Sequence, residues 1–163
     1  MRRRPLLATG LAALAAGCGF ELRRAPELSF RTVALSGFAP RSPLAEALRR
    51  AIDGSPDTRV VEAVTQAQVV LESLADARDK GVVASTAAGQ VREVQLRARL
   101  RFRLRTPSGK ELVGPTEIAL SRDMSFSETA ALAKEQEEAL VYRAMEADIA
   151  QQVMRRLAAV RTL

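Results

Sequence analysis

The sequence holds no histidine and no tryptophan, one cysteine, one tyrosine and five phenylalanines among its 163 residues. Each shortage removes a class of chemistry. Without histidine there is no Ser-His-Asp triad, no Cys-His pair and no ordinary zinc site. The nine glycines fall in no phosphate-cradling motif. A carboxylate pair could still do acid–base work, but Asp and Glu are spread along helix-like stretches and read as solvated faces. No apolar run reaches the eighteen or so residues that span a membrane. The expectation is a protein that is not an enzyme, with no catalytic residue, no metal and no cofactor beyond a covalent lipid.

That lipid is argued from the N-terminus. Met1-Arg2-Arg3-Arg4 is a positive n-region, Pro5 to Leu14 an apolar h-region, and Ala15-Ala16-Gly17 the small residues a signal peptidase needs. The only cysteine, Cys18, follows directly. A lone thiol in an exported chain has no disulfide partner, whereas a cysteine at this place is the mark of a lipobox. Ala15 stands where Leu is usual. Residues 1–17 are therefore expected to be a lipoprotein signal peptide, and Cys18 to carry S-diacylglycerol and an N-acyl chain, an anchor firmer than a single chain gives. Gly19, in place of Asp, favours the outer membrane, on its periplasmic face. The pair Arg2-Arg3 leaves the export route, Sec or twin-arginine, open.

Cleavage changes the charge. The whole chain has 25 Lys+Arg against 19 Asp+Glu, and losing Arg2, Arg3 and Arg4 leaves 22 against 19. So mild a surplus gives no reason to expect nucleic acid as a partner.

Residues 18–28 read as a tether, and 29–163 as one domain. Ser29 to Phe38 predicts a strand. Ser42 as N-cap and Pro43 at the first helical position open a helix that Gly54 and Pro56 stop. Thr58 to Val64 and Gln68 to Ala77 predict two more strands, and Asp79 to Gly89 a loop or frayed strand end. From Glu93 to Arg105 polar and apolar residues alternate without a break, the period of a strand with one dry and one wet face. Thr106-Pro107-Ser108-Gly109 makes a turn, and Lys110 to Phe126 a partner strand at an edge or bulged at Pro115. A long helix follows, capped by Ser127 or by a Ser125–Glu128 capping box, with Leu132, Ala139, Tyr142, Met145, Ile149, Val153 and Leu157 as its apolar stripe. The fold class is α+β: two helices on one face of a mostly antiparallel sheet of four to five strands, the other face open.

The wet face of the alternating strand carries Arg97, Arg99, Arg101, Arg103 and Arg105, spaced about 6.6 Å apart. Two readings stand. The row is a solvated face with acidic partners such as Glu111 and Glu117 across the strands. Or it meets an anionic partner, since the guanidinium fork suits phosphate and carboxylate.

Several stretches carry a resemblance. Cys18-Gly19-Phe20-Glu21-Leu22-Arg23, Gln90 to Leu104 with the Pro-Ser-Gly turn, Arg122-Asp123 with Phe126, and Ala131-Leu132-Ala133-Lys134-Glu135 leading to Glu138 and Met145 resemble, in order and spacing, the LptE family of lipopolysaccharide-assembly lipoproteins. The resemblance implies a non-enzymatic partner of LptD, the outer-membrane β-barrel that inserts lipopolysaccharide. Such a partner plugs the barrel, helps it assemble and binds lipopolysaccharide. It implies Lys134 as a lipopolysaccharide contact. A second basic position falls near Ala87, where Arg92 is the nearest cation. The competing readings are a lipid-anchored adaptor of another envelope complex and, with less behind it, an enzyme acting on envelope polymers.

Overall fold

The computed structural model describes residues 26–161. The expected signal peptide, Cys18 and most of the expected tether lie outside the described residues.

The elements run β1 (Thr32–Ser36), α1 (Pro43–Asp53), β2 (Arg59–Val61), a 3-10 turn (Val64–Gln66), β3 (Val69–Ser85), β4 (Val91–Arg105), β5 (Glu111–Ser125), a second 3-10 turn (Glu128–Ala130) and α2 (Ala131–Ala159). They form one open sheet in the order β2-β1-β3-β4-β5. Strand β1 is parallel to both its neighbours, while β3, β4 and β5 make a long antiparallel meander. Both helices cover one face. This is the expected α+β sandwich, with five strands.

Local chemistry explains most of it. The Ser42 hydroxyl accepts from the Ala45 N–H at 3.1 Å, and Pro43 opens α1. In β4 the even positions Val94, Leu96, Ala98, Leu100, Phe102 and Leu104 are all buried. They pack with Leu48 and Ile52 of α1 and with Met145, Ile149, Val153 and Leu157 of α2. Each large aliphatic side chain so buried is worth about 1.5–3 kcal/mol. Pro115 lies where the β4–β5 register shifts, on the edge strand, as its missing N–H requires.

Three expectations change. The segment from Asp79 is not a loop: β3 continues to Ser85, pairing Asp79 with Arg97 and Val82 with Val94. Polar side chains on both strands hid the pairing. The hairpin that closes it, Thr86 to Gln90, repeats the Thr106 to Lys110 turn. In each, the threonine N–H and hydroxyl bond the residue four on, the glycine N–H bonds the threonine carbonyl, and Gly89 or Gly109 takes a positive φ.

Secondly, Leu74 is an extra residue in β3, between the Ser73–Phe102 and Ala75–Arg101 pairs. The bulge turns the strand over. Before it Leu71 and Ser73 face the helices; after it Asp76, Arg78 and Lys80 do.

Thirdly, the long helix starts later and packs later. Ser125 ends β5, Ser127 bonds Thr129, and α2 begins after Ala130 without a side-chain cap, so no capping box forms. Tyr142 through Leu157 follow the predicted stripe into the core, but Leu132 and Ala139 are exposed. The first turns of α2 run past the end of the apolar core.

Candidate functional site

The open sheet face brings all five arginines of β4 into one row, with residues of β3 and β5 beside them. Glu72 pairs with Arg103, Asp79 with Arg97, Glu111 with Arg105, Glu117 with Arg101, and Asp123 with Gln95. Directly paired residues share a face, and Glu93, opposite Ser125, stands in the same β4 row, so the five arginines of β4 stand among six carboxylates. Arg59 of β2, opposite Thr32, lies on this face too, and the charges of the paired strands balance.

The row divides into three parts. Arg103 and Arg105 both close on Glu72, at 3.0 and 2.7 Å between nitrogen and oxygen. The Arg105 bond, then the Arg103 bond, holds the Glu72 carboxyl below the usual carboxylate range, against the opposing effect of burial. Arg97 donates to Gln95 at 2.7 Å, and Gln95 donates to Asp123 at 2.9 Å. Arg99 and Arg101 form no ion pair among the described residues. Ala77 and Ala119 flank Arg99 on either side. An open groove of about 360 Å³ runs there, lined in part by Arg97, Arg99, Glu117, Ala119 and Ser121.

Glu72 was not among the partners the sequence suggested, because its register depends on the bulge. Glu72→Gln is expected to lower stability by less than about 1 kcal/mol, since solvent screens a half-exposed cluster. Its pKa is depressed in the fold, so that contribution is present at neutral pH and fades as pH falls through the folded value. Thermal melts of both proteins at pH 7 and pH 3 check this: the difference should close in acid.

Behind the sheet lies a second charged set, which the sequence did not reveal. Asp76 accepts from the Ser42 hydroxyl at 2.6 Å. Arg78 pairs with the buried Glu146 of α2 and lies 5.1 Å from the centre of the Tyr142 ring. The Tyr142 hydroxyl donates to the Asp79 carbonyl at 2.9 Å. Lys80 reaches Glu138 at 2.6 Å and sits 5.7 Å over Phe126. Burial pushes the Glu146 carboxyl above its ordinary range, Arg78 opposing. So α2 is tied to β3 by charges at Glu138 and Glu146, while its second half packs by apolar side chains into the core.

The two candidate lipopolysaccharide contacts converge at the end of the domain where α2 begins. Lys134 donates to the Ser125 hydroxyl at 3.0 Å and to Glu137 at 2.7 Å. The Arg92 carbonyl accepts from the Phe126 N–H at 2.8 Å. Both border the segment Ser125–Thr129. Arg92 is exposed and lines a cleft of about 190 Å³ with Val91, Ser127, Glu128 and Thr129. Lys134 is mostly covered, its side chain 18% exposed, so a phosphate there competes with Glu137. Among the described residues no group of acidic side chains is arranged to hold a metal ion.

The described residues form a two-layer α+β domain with a broad polar sheet face. The chain belongs to the LptE family, described as lipopolysaccharide-assembly, whose model matches residues 30–157. It is 30% identical over 155 residues to the LPS-assembly lipoprotein LptE of Pectobacterium atrosepticum, covering 93% of this chain and 83% of that one. The solution structure of lipoprotein B from Nitrosomonas europaea is similar, with a TM-score of 0.72 at 29% identity over 86% of this chain and 91% of that one. The crystal structure of the rare lipoprotein B from Shewanella oneidensis shares the fold, with a TM-score of 0.65 at 24% identity over 79% and 95%.

Proposed function

We propose that this lipopolysaccharide-assembly lipoprotein is held at the periplasmic face of the outer membrane by the lipid on Cys18, binds lipopolysaccharide at its Arg92–Lys134 end, and lays its sheet face against the lumen of an LptD-like β-barrel. It works by binding, not by catalysis. The observation that carries the assignment of the two surfaces is the electroneutrality of the sheet face. A row of unscreened arginines would suit a dense polyanion. Arginines interleaved with as many carboxylates suit a wall of mixed charge, as in a polar barrel lumen. Arg99, between Ala77 and Ala119, and Arg101, between Ala75 and Glu117, form no ion pair among the described residues and are the positions where partner carboxylates would dock.

Pull-down of the lipidated chain from outer membranes tests this. A large β-barrel is expected at a one-to-one ratio. Arg99→Glu with Arg101→Glu is expected to cut barrel recovery at least severalfold while leaving the melting temperature and lipopolysaccharide binding near wild type. Arg92→Glu with Lys134→Glu should do the reverse. Wild-type barrel recovery by the first pair removes the sheet-face assignment; recovery of some other envelope complex replaces the whole reading with that of an adaptor.

A further inference from the structure

The sheet has two free edges, and only one is blunted. Strand β2, at one edge, is three residues long, and so short an edge gives a foreign strand little to pair with. Strand β5, at the other, is fifteen residues long. Pro115 interrupts it near its start. Beyond Pro115, Thr116 to Ser125 pair with Phe102 to Glu93 without a register shift, and they include no proline, glycine or lysine. Arg122 lies on the helix side, where an unpaired charge would deter pairing, but Asp148 of α2 stands 3.5 Å from it.

One bond fixes which backbone groups are free. The Phe126 N–H donates to the Arg92 carbonyl. Antiparallel residues alternate between pairs that exchange hydrogen bonds and pairs that do not. Ile118, Leu120, Arg122 and Met124 therefore turn their N–H and C=O groups to β4, and Glu117, Ala119, Ser121 and Asp123 turn theirs outward. These four residues are all exposed. An outward row of donors and acceptors is the template on which an extended peptide adds a strand.

The side chains along the row select the peptide. Glu117 and Asp123 share the open face, six residues and so about 20 Å apart, with Ala119 and Ser121 between them. Asp123 accepts from Gln95, while Glu117 stands opposite Arg101 and forms no ion pair among the described residues. The outermost column of this face is thus acidic, and the arginines lie one strand inside it. On the helix side Ile118 and Met124 are buried and Leu120 is partly so, which suits apolar neighbours. A second β5 laid antiparallel about Leu120 would set Glu117 directly against Asp123, and like charges so placed repel. The domain's own lead-in enters by the opposite edge, where Pro26 and Phe30 accept from Ser55 and Thr58, just before β2.

We infer that β5 receives an extended segment of a partner protein as a sixth strand, a segment with cations six residues apart on one face and apolar residues on the other. This goes beyond the sheet face and the Arg92–Lys134 end assigned above and depends on neither. Amide hydrogen exchange of the full chain, read residue by residue, tests it with the synthetic peptide Val-Lys-Val-Thr-Val-Thr-Val-Lys-Val. At saturating peptide the amides of Glu117, Ala119, Ser121 and Asp123 are expected to exchange at least tenfold more slowly. Those of Ile118, Leu120 and Arg122, already bonded to β4, should not change. Glutamate in place of both peptide lysines is expected to abolish the slowing. Ala119→Pro in the chain should abolish it too, since it removes an outward donor and none from the β4 ladder. Glu117→Lys with Asp123→Lys leaves the backbone untouched and should transfer the slowing to the glutamate peptide. No binding of the lysine peptide, binding without slowing at the four amides, or equal slowing by both peptides overturns the inference. If the four amides are already slow in the chain alone and quicken on dilution, a second copy holds the edge, and the inference is likewise overturned.

Discussion

Gly37→Ala is expected to destabilise the domain by about 3 kcal/mol or more, enough to threaten folding of a domain this size. Gly37 follows β1 with a φ of +75°, and a methyl group there would stand 2.3 Å from the Ser73 carbonyl oxygen. Two penalties combine. A side chain in the left-handed region costs about 1–2 kcal/mol, and the clash is with backbone, which cannot swing aside. Ser73 is itself the residue before the bulge, so yielding would displace the switch that sets the face of β3. Gly109→Ala separates the two penalties: φ is +97°, but nothing lies within 4 Å. It should cost only about 1 kcal/mol. Denaturant midpoints measure both; equal losses would mean that the clash relaxes away.

Arg78→Ala is expected to cost about 3 kcal/mol at neutral pH, because it strands the Glu146 carboxylate under α2. Glu146→Gln should stay within about 1 kcal/mol of wild type, since an amide oxygen still accepts from Arg78 and no charge is buried. The pH dependence fixes the cause. The folded pKa of Glu146 lies above its unfolded value, driven first by burial. Such a group favours the fold when protonated, and that contribution is lost as pH rises through the folded value. Arg78 and, more weakly, Arg50 pull the pKa down, and Asp76 pushes it up. Removing Arg78 raises it further. The deficit of Arg78→Ala should therefore be greatest at pH 8 and shrink as the medium is acidified and Glu146 takes a proton. A deficit unchanged between pH 8 and pH 4.5 would mean that Arg78 works through its packing on Tyr142.

The legible parts of the fold were those where one face is wet and one dry. The unbroken alternation of Glu93 to Arg105 placed β4 to within two residues, and Ser42-Pro43 placed the start of α1. The family resemblance carried by residues 90–104 and 131–135 was sound. What escaped was whatever depends on distant partners. The outer part of β3, from Asp79, read as a loop or frayed strand end because charged Arg78 and Lys80 face α2 there, an inversion produced by the single extra residue Leu74. The same bulge decides that Glu72 lies beside Arg103. Periodicity also overran the core in α2: Leu132 keeps helical step with Met145 and Ile149 but has no sheet beneath it. The arginine row was visible, and its neutralisation was only half visible, because Glu72, Asp79 and Asp123 could be placed beside it only from the strand register.

The hydrogen bond from Ser29 to the Val160 carbonyl ties the start of the domain to its end. In the proposed anchored state the domain would hang from this one end, like a clapper from its pivot. Small rotations there would become wide sweeps at the Arg92 end, and a label joined after Val160 would emerge beside the pivot, out of the path of that sweep. Shortening the tether would therefore narrow the arc searched before docking, without altering a contact in the docked state.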